Sequence, residues 1–137
     1  MTDTPDVTQL LANAQAVADN PDADVSEVEA MAVETVSAFE ARLQHHFARG
    51  PFFVKLRSKL AADGHADLAE RVHHYYLAAN VLKHGGGKSL RELEQIEPAP
   101  FTLQNIEGKA LVDVMADRFL GGLVETLREA SRLLAPK

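Results

Sequence analysis

The sequence predicts an all-α protein: one domain over residues 1–137, folded as an up-down bundle of three to four long helices plus short helices. Three observations predict this architecture. Apolar residues recur at three- and four-residue steps along most of the chain, whereas no segment alternates convincingly between apolar and polar residues. Residue pairs that contain glycine or proline lie between the segments with this helical spacing. The length of 137 residues suits one hydrophobic core and not two.

The first two helices are predicted from their starts and stops. Thr4-Pro5 offers a cap and a proline at the first helical position, and Asn20-Pro21 ends that helix. Ser26 and Glu29 have capping-box spacing. Apolar residues then recur at helical steps as far as Phe47, which predicts one long amphipathic helix.

Four further helices follow. Gly50-Pro51 and Asp63-Gly64 bound a helix over residues 52–62. The next helix covers residues 66–84 and ends at Gly85, the natural left-handed residue after a helix. Capping-box spacing at Ser89 opens a short helix to about residue 96, and apolar spacing predicts a last helix over residues 108–134.

The charge distribution is uneven. The net charge is −6, yet residues 1–40 hold nine acids and no lysine or arginine, while residues 41–91 hold nine bases, three acids and all six histidines. The negative net charge argues against nonspecific binding to nucleic acid. The basic segment 41–91 nevertheless permits a local anion-binding site. The alternative is that the acidic segment 1–40 and the basic segment 41–91 pair with each other within the fold. With no cysteine, no signal pattern and no apolar run of about 20 residues, we expect a cytoplasmic protein.

The helix over residues 66–84 is apolar nearly all round, which indicates burial on both sides. Leu68, Val72 and Tyr75 begin a normal core stripe. His73 and Asn80 lie on the other side, together with Leu77 and His84. In a small bundle a second subunit often covers such a face. We therefore expect a homodimer packed near this helix.

The end of the same helix carries the candidate site. Asn80, Lys83 and His84 precede a glycine-rich turn, and the expected phosphate-binding residues are Gly85, Gly86, Gly87, Lys88, Ser89 and Arg91. Backbone N–H groups and cations there can hold an anion. The turn is not a P-loop, because Leu82 occupies the position of that motif's first glycine. A single phosphate, such as one on a nucleic-acid backbone, suits it better.

The stretch Ala79-Asn80-Val81-Leu82-Lys83-His84 resembles the motif of the HEPN family, small all-α proteins that include metal-independent ribonucleases of toxin–antitoxin and other prokaryotic defence systems. Asn80 matches the polar position and His84 the histidine, whereas Ala79 stands where the family has arginine. The resemblance implies a homodimer, RNA as a ligand, a possible cognate partner protein and no cofactor or metal. It also implies RNA cleavage in which His84 moves a proton. We expect Asn80 to orient His84 or a phosphate, and Lys83, Lys88 or Arg91 to replace the missing cation.

Two alternatives remain. Glu70 and His73 have the Glu-x-x-His spacing of di-iron carboxylate bundles, and His45, His46 and His74 could add ligands, but the motif occurs only once. The second alternative is a non-enzymatic interaction or regulatory dimer, which the acidic N-terminal part and the missing arginine favour.

Overall fold

The computed structural model describes residues 7–44, 47, 51–85, 87–97, 99–106, 109–116 and 118–134; the side chains of residues 104–106 and 109–111 are not described. These residues form an all-α fold, which confirms the predicted class, with one small β-hairpin added. The elements are α1 (Val7–Ala18), α2 (Val25–Leu43), α3 (Phe52–Ala62), α4 (Ala66–His84), α5 (Lys88–Glu94), β1 (Leu103–Ile106), β2 (Lys109–Val112) and α6 (Phe119–Leu134). Within the described residues, no helix combines the length and apolar character needed to cross a membrane.

The start of α2 differs from the prediction. Asp24, not Ser26, is the N-cap, and its carboxylate accepts a hydrogen bond of 2.9 Å from the backbone N–H of Glu27. A carboxylate at this position also benefits from the positive end of the helix dipole. The helix ends at Leu43, before Phe47. Thr4-Pro5, predicted to open the first helix, lies outside the described residues.

The predicted bounds of α3 and α4 are confirmed. The helices cover residues 52–62 and 66–84, and Gly64 between them has a φ of 90°. Gly85 has a φ of 79°, in the left-handed region, and its N–H donates to the carbonyl oxygen of Val81 over 2.7 Å. This bond closes the last turn of α4.

The start of α5 also differs from the prediction. Gly87 occupies the N-cap position, and Ser89, expected to cap the helix, lies in its first turn instead. The Ser89 hydroxyl accepts a hydrogen bond from the side chain of Asn80, 3.2 Å away. A contact between two helices has therefore replaced the local capping bond that the spacing predicted.

The prediction of one helix over residues 108–134 is wrong in its first part. β1 and β2 pair antiparallel, with Leu103 opposite Val112, and α6 begins only at Phe119. The backbone N–H of Asp113 donates to Thr102 over 2.8 Å, which extends the pairing. Val112 and Val114 are buried. Burial of these apolar side chains in the bundle has overridden a spacing that is also compatible with a helix.

Helix α4 is the centre of the bundle. It contacts α2, α3, α5, α6 and β2, while α1 packs against α2 and α6. The second face of α4, expected to meet another subunit, is covered within the same chain: Leu77 is buried, and α5 runs back along this side with its own Leu93 buried. The all-round apolar character of α4 therefore needs no second copy. The homodimer stays a prediction that the single chain does not test.

Thr35 in α2 is fully buried, and its hydroxyl has no hydrogen-bond partner in the described part of the chain. An unsatisfied buried hydroxyl costs about 1–3 kcal/mol. Valine keeps the branched shape without the polar atom. We expect Thr35→Val to raise the free energy of unfolding by about 1 kcal/mol in urea titrations. Thr35→Ser, which keeps the hydroxyl and loses the methyl group, should lower the free energy of unfolding. A Thr35→Val protein less stable than the original would show that the hydroxyl is satisfied.

Candidate functional site

The candidate site lies where α4 ends and α5 begins. The Gly85 bond to Val81 ends α4, and Gly87, with a φ of 87°, turns the chain into α5. Only glycine adopts these left-handed backbone angles without strain, so the chain can reverse direction within three residues. Gly86, between them, lies outside the described residues. The sequence thus folds into a tight reversal that places the two helices side by side.

Asn80 and Ser89, both predicted site residues, are brought together by this reversal. The partly buried Asn80 amide donates to the Ser89 hydroxyl oxygen over 3.2 Å. A second bond joins the helices further along, between His73 Nε2 and Glu92 Oε2, at 2.8 Å. These bonds hold α5 against α4. The amide of Asn80 thus helps to fix the turn, and among the described residues it has no hydrogen bond to the His84 imidazole.

Four cationic or titratable side chains surround the turn: Lys83, His84, Lys88 and Arg91. All four are exposed. Within the described residues, none of these side chains has an ion pair or a hydrogen bond. We call this set the α4–α5 basic surface. These side chains can reach a partner, because they are exposed and no carboxylate of the described residues lies within ion-pair distance of them.

The alternative in which the acidic N-terminal segment pairs with the basic middle finds no support. The ion pairs among described residues join Arg57 to Glu70, Lys59 to Asp63, Arg71 and Arg132 to Glu129, and Arg118 to Glu125, with His73 facing Glu92. None of them contains an acid from residues 7–40. Lys83 does line an open groove of about 450 Å³ with Glu29 and Glu34 of α2, but without an ion pair. Within the described residues, the two segments are therefore not joined by an ion pair.

The alanine at the family's arginine position is placed where a cation would not fit. Ala79 is 3% exposed and packs in the core of the bundle. An arginine side chain there would have to bury its guanidinium or displace α4 from its neighbours. Residue 79 therefore contributes no cation to this end of α4.

Among the described residues, the side chains that were considered as metal ligands make contacts with other protein side chains instead. Both Glu70 carboxylate oxygens bond to the Arg57 guanidinium, over 2.8 and 3.1 Å. This hydrogen bonding lowers the pKa of Glu70 below its ordinary range. His73 faces Glu92. In the described part of the chain, no three potential ligands converge on a metal position. His45 and His46 lie outside the described residues.

The partial burial of His74 predicts a pH dependence of the stability. Burial lowers the pKa of its imidazole below the ordinary 6.5, with Glu70 opposing the shift. Unfolding restores the ordinary value, so below about pH 6.5 the unfolded chain binds a proton that the folded chain does not. We expect the free energy of unfolding to fall between pH 7 and pH 5, and His74→Gln to reduce that slope.

Urea titrations at several pH values measure this slope. His84→Gln, which removes an exposed imidazole from the same helix, is the matched control. The change in slope should be larger in the His74 variant than in the control. Equal slopes in the two variants would contradict the assignment to His74.

No protein-family model, curated protein or solved structure matches the chain. The HEPN resemblance therefore stays a prediction. It depends on the six residues 79–84 together with the all-α fold. The bonds of Asn80 to Ser89 and of His73 to Glu92 were not predicted from sequence, since both depend on α5 folding back along α4.

Proposed function

We propose that the protein is a cytoplasmic, HEPN-like RNA-binding protein that contacts the phosphate backbone through the α4–α5 basic surface. The single observation that carries this proposal is the set of exposed, unpaired cations around one turn, in a chain whose net charge is −6. A local positive surface on an acidic protein favours a specific anionic partner over general adhesion to nucleic acid. The resemblance to the HEPN family supports RNA as that anion.

In this proposal the cationic side chains and the Asn80–Ser89 hydrogen bond have separate roles. Lys83, Lys88 and Arg91 neutralise phosphates, and a neutral or protonated His84 can donate a hydrogen bond to a phosphate oxygen. The Asn80–Ser89 bond fixes the reversal that brings these side chains to one surface. The affinity should therefore depend on charge and on the shape of the turn, with little dependence on base sequence.

Binding without cleavage is the function that the geometry supports best. In-line attack of a 2′-hydroxyl needs a proton acceptor and a cation held beside the same phosphate. His84 is an exposed imidazole without a partner among the described residues, and Ala79 leaves the arginine position empty of charge. The prediction of a HEPN-type homodimer and of a role in a toxin–antitoxin or defence system, with or without a cognate partner protein, rests on the resemblance.

The test compares two triple variants with the same charge change. The first, Lys83→Gln, Lys88→Gln and Arg91→Gln, removes the α4–α5 basic surface. The control, Arg42→Gln, Lys55→Gln and Arg128→Gln, removes three exposed cations elsewhere. Affinity for labelled single-stranded RNA is measured over a range of salt concentrations. The salt dependence of log K should weaken by about 2 in the first variant, since each phosphate contact contributes about 0.7. The control should keep the original slope.

Equal loss of affinity in both triple variants would overturn the assignment of the surface. Absence of RNA binding in the original protein would overturn the function and leave the non-enzymatic interaction or regulatory dimer. The same incubations, with a metal chelator present, show whether the RNA stays intact, as expected. RNA cleavage that is lost in His84→Ala, with the helical circular dichroism unchanged, would assign a metal-independent ribonuclease instead. Sedimentation of the same samples measures the oligomeric state.

A further inference from the structure

A cavity of about 460 Å³ lies between α4, residues 96–97 and 99–101, and α6. It is separate from the α4–α5 basic surface, and none of the residues assigned to RNA lines it. Its volume is in the range of small-molecule sites in proteins, about 300–1,000 Å³. The cavity is open on one side, so a ligand could enter without unfolding any element. It therefore has the size and access of a binding site.

One wall of the cavity is aromatic and held rigidly. The rings of Tyr75 and Phe101 have centroids 4.9 Å apart, and both rings pack against Phe119, at 5.2 and 5.1 Å. The Tyr75 hydroxyl donates to the carbonyl oxygen of Phe119 over 3.1 Å, which fixes the ring. The absence of a side chain at Gly122 lets the Tyr75 hydroxyl lie close against the backbone of α6. The wall is thus formed before any ligand arrives, which reduces the entropic cost of binding.

The charged residues around the cavity are mainly acidic. Glu97 and Glu125 line it, and both are exposed. The one positive lining residue, Arg71, lies 3.8 Å from Glu129, a carboxylate outside the cavity. Glu125 has a contact of the same length, 3.8 Å, to the exposed Arg118, and both of these long exposed pairs are weak.

The lining also contains Thr126 and the His74 imidazole. Burial lowers its pKa, so it is neutral at neutral pH. It can then offer a ring nitrogen as an acceptor without repelling a positive ligand. The cavity consequently combines an aromatic wall with two carboxylates, one guanidinium and a neutral acceptor, so acidic groups outnumber the single basic one.

We propose that this cavity binds a small organic cation, a protonated amine carried on an aromatic or other apolar body. The faces of aromatic rings attract cations, and carboxylates pair with ammonium groups. The apolar body of the ligand would pack on the wall formed by Tyr75 and Phe101, while the ammonium group lies toward Glu97 and Glu125. This site is independent of the proposed RNA surface, and either could exist without the other.

Three probes with the same ring system and different charges test this: tryptamine (cation), indole (neutral) and indole-3-acetate (anion). The chain has no tryptophan, so indole fluorescence reports the probe alone. Fluorescence anisotropy should give the tightest binding for tryptamine, roughly five- to thirtyfold tighter than indole, and the weakest for indole-3-acetate. Backbone NMR shifts on adding tryptamine should be largest at the cavity, including Gly122 and Thr126.

Charge variants separate the carboxylates from the wall. Glu97→Gln with Glu125→Gln should remove the preference for tryptamine over indole and leave indole binding unchanged. Glu27→Gln with Glu34→Gln, which removes two exposed acids of α2, is the matched control and should keep the preference. Failure of all three probes to bind, tighter binding of the anion than of the cation, or NMR shifts centred away from the cavity would each overturn the proposal.

Discussion

Replacing Phe39 by alanine is expected to lower the free energy of unfolding by about 3–5 kcal/mol, the usual cost of emptying a buried phenylalanine site. Phe39 in α2 is fully buried, and its ring contacts those of Phe52 and Phe53 at the start of α3, with centroids 6.0 and 6.4 Å away. Phe53 in turn contacts Tyr76 of α4 at 5.1 Å. This aromatic cluster therefore joins three helices, and the loss of the Phe39 ring leaves a cavity at its α2 end.

The loss should be visible in both heat and urea unfolding, followed by circular dichroism. For a chain of this length a change of this size corresponds to a fall in Tm of roughly 10–20 °C. Phe39→Leu is the matched control, and it should cost less because leucine fills much of the same volume. A Phe39→Ala protein that loses less than about 1 kcal/mol would show that the contacts of this aromatic cluster are not made in solution.

Two adjacent glycines in the first turn of α6 are expected to respond in opposite ways to alanine. At Gly121 an added methyl group meets only the Arg118 side chain, at 3.9 Å. Gly121→Ala should therefore stabilise the protein by about 0.5–1 kcal/mol, the gain in helix propensity. At Gly122 the methyl group would collide with the Tyr75 hydroxyl oxygen. Gly122→Ala should lose that gain and destabilise the protein by about 1–3 kcal/mol, as overpacking does.

A second substitution tests the cause of the Gly122 effect. Tyr75→Phe removes the hydroxyl oxygen, and the remaining ring carbon is 3.6 Å from the added methyl group, an ordinary contact. The double variant Tyr75→Phe with Gly122→Ala should therefore be more stable than the sum of the two single changes predicts, by about 1 kcal/mol or more. Strictly additive effects would exclude the collision with Tyr75 as the cause.

The sequence predicted the helices best where glycine and proline mark their ends. The bounds of α3 and α4 followed from Gly50-Pro51, Asp63-Gly64 and Gly85, because these residues limit the backbone whatever surrounds them. Caps were predicted less well, since Asp24 and Ser26 can both cap a helix and only the folded chain selects one. The hairpin was missed because the apolar residues from Val112 onward also fit a helical spacing.

The candidate site was also predicted only in part from the sequence. Local signals predicted the turn at Gly85 and the cations that follow it. They could not predict that Asn80 bonds to Ser89, nor that α5 covers the second face of α4. Such contacts join residues on different helices, so they depend on the direction in which the chain returns. The cavity was missed for the same reason, since its walls come from three separate segments.

The position of α5 has a consequence for any molecule that recognises α4 directly. A helix of seven residues has almost no stability of its own, so α5 stays helical only while it is docked. Exposing the covered side of α4 therefore means breaking the contacts of Asn80 and His73 with α5 and unravelling that short helix in one step. Hydrogen exchange at the amides of α5 would then measure how often this side of α4 becomes accessible.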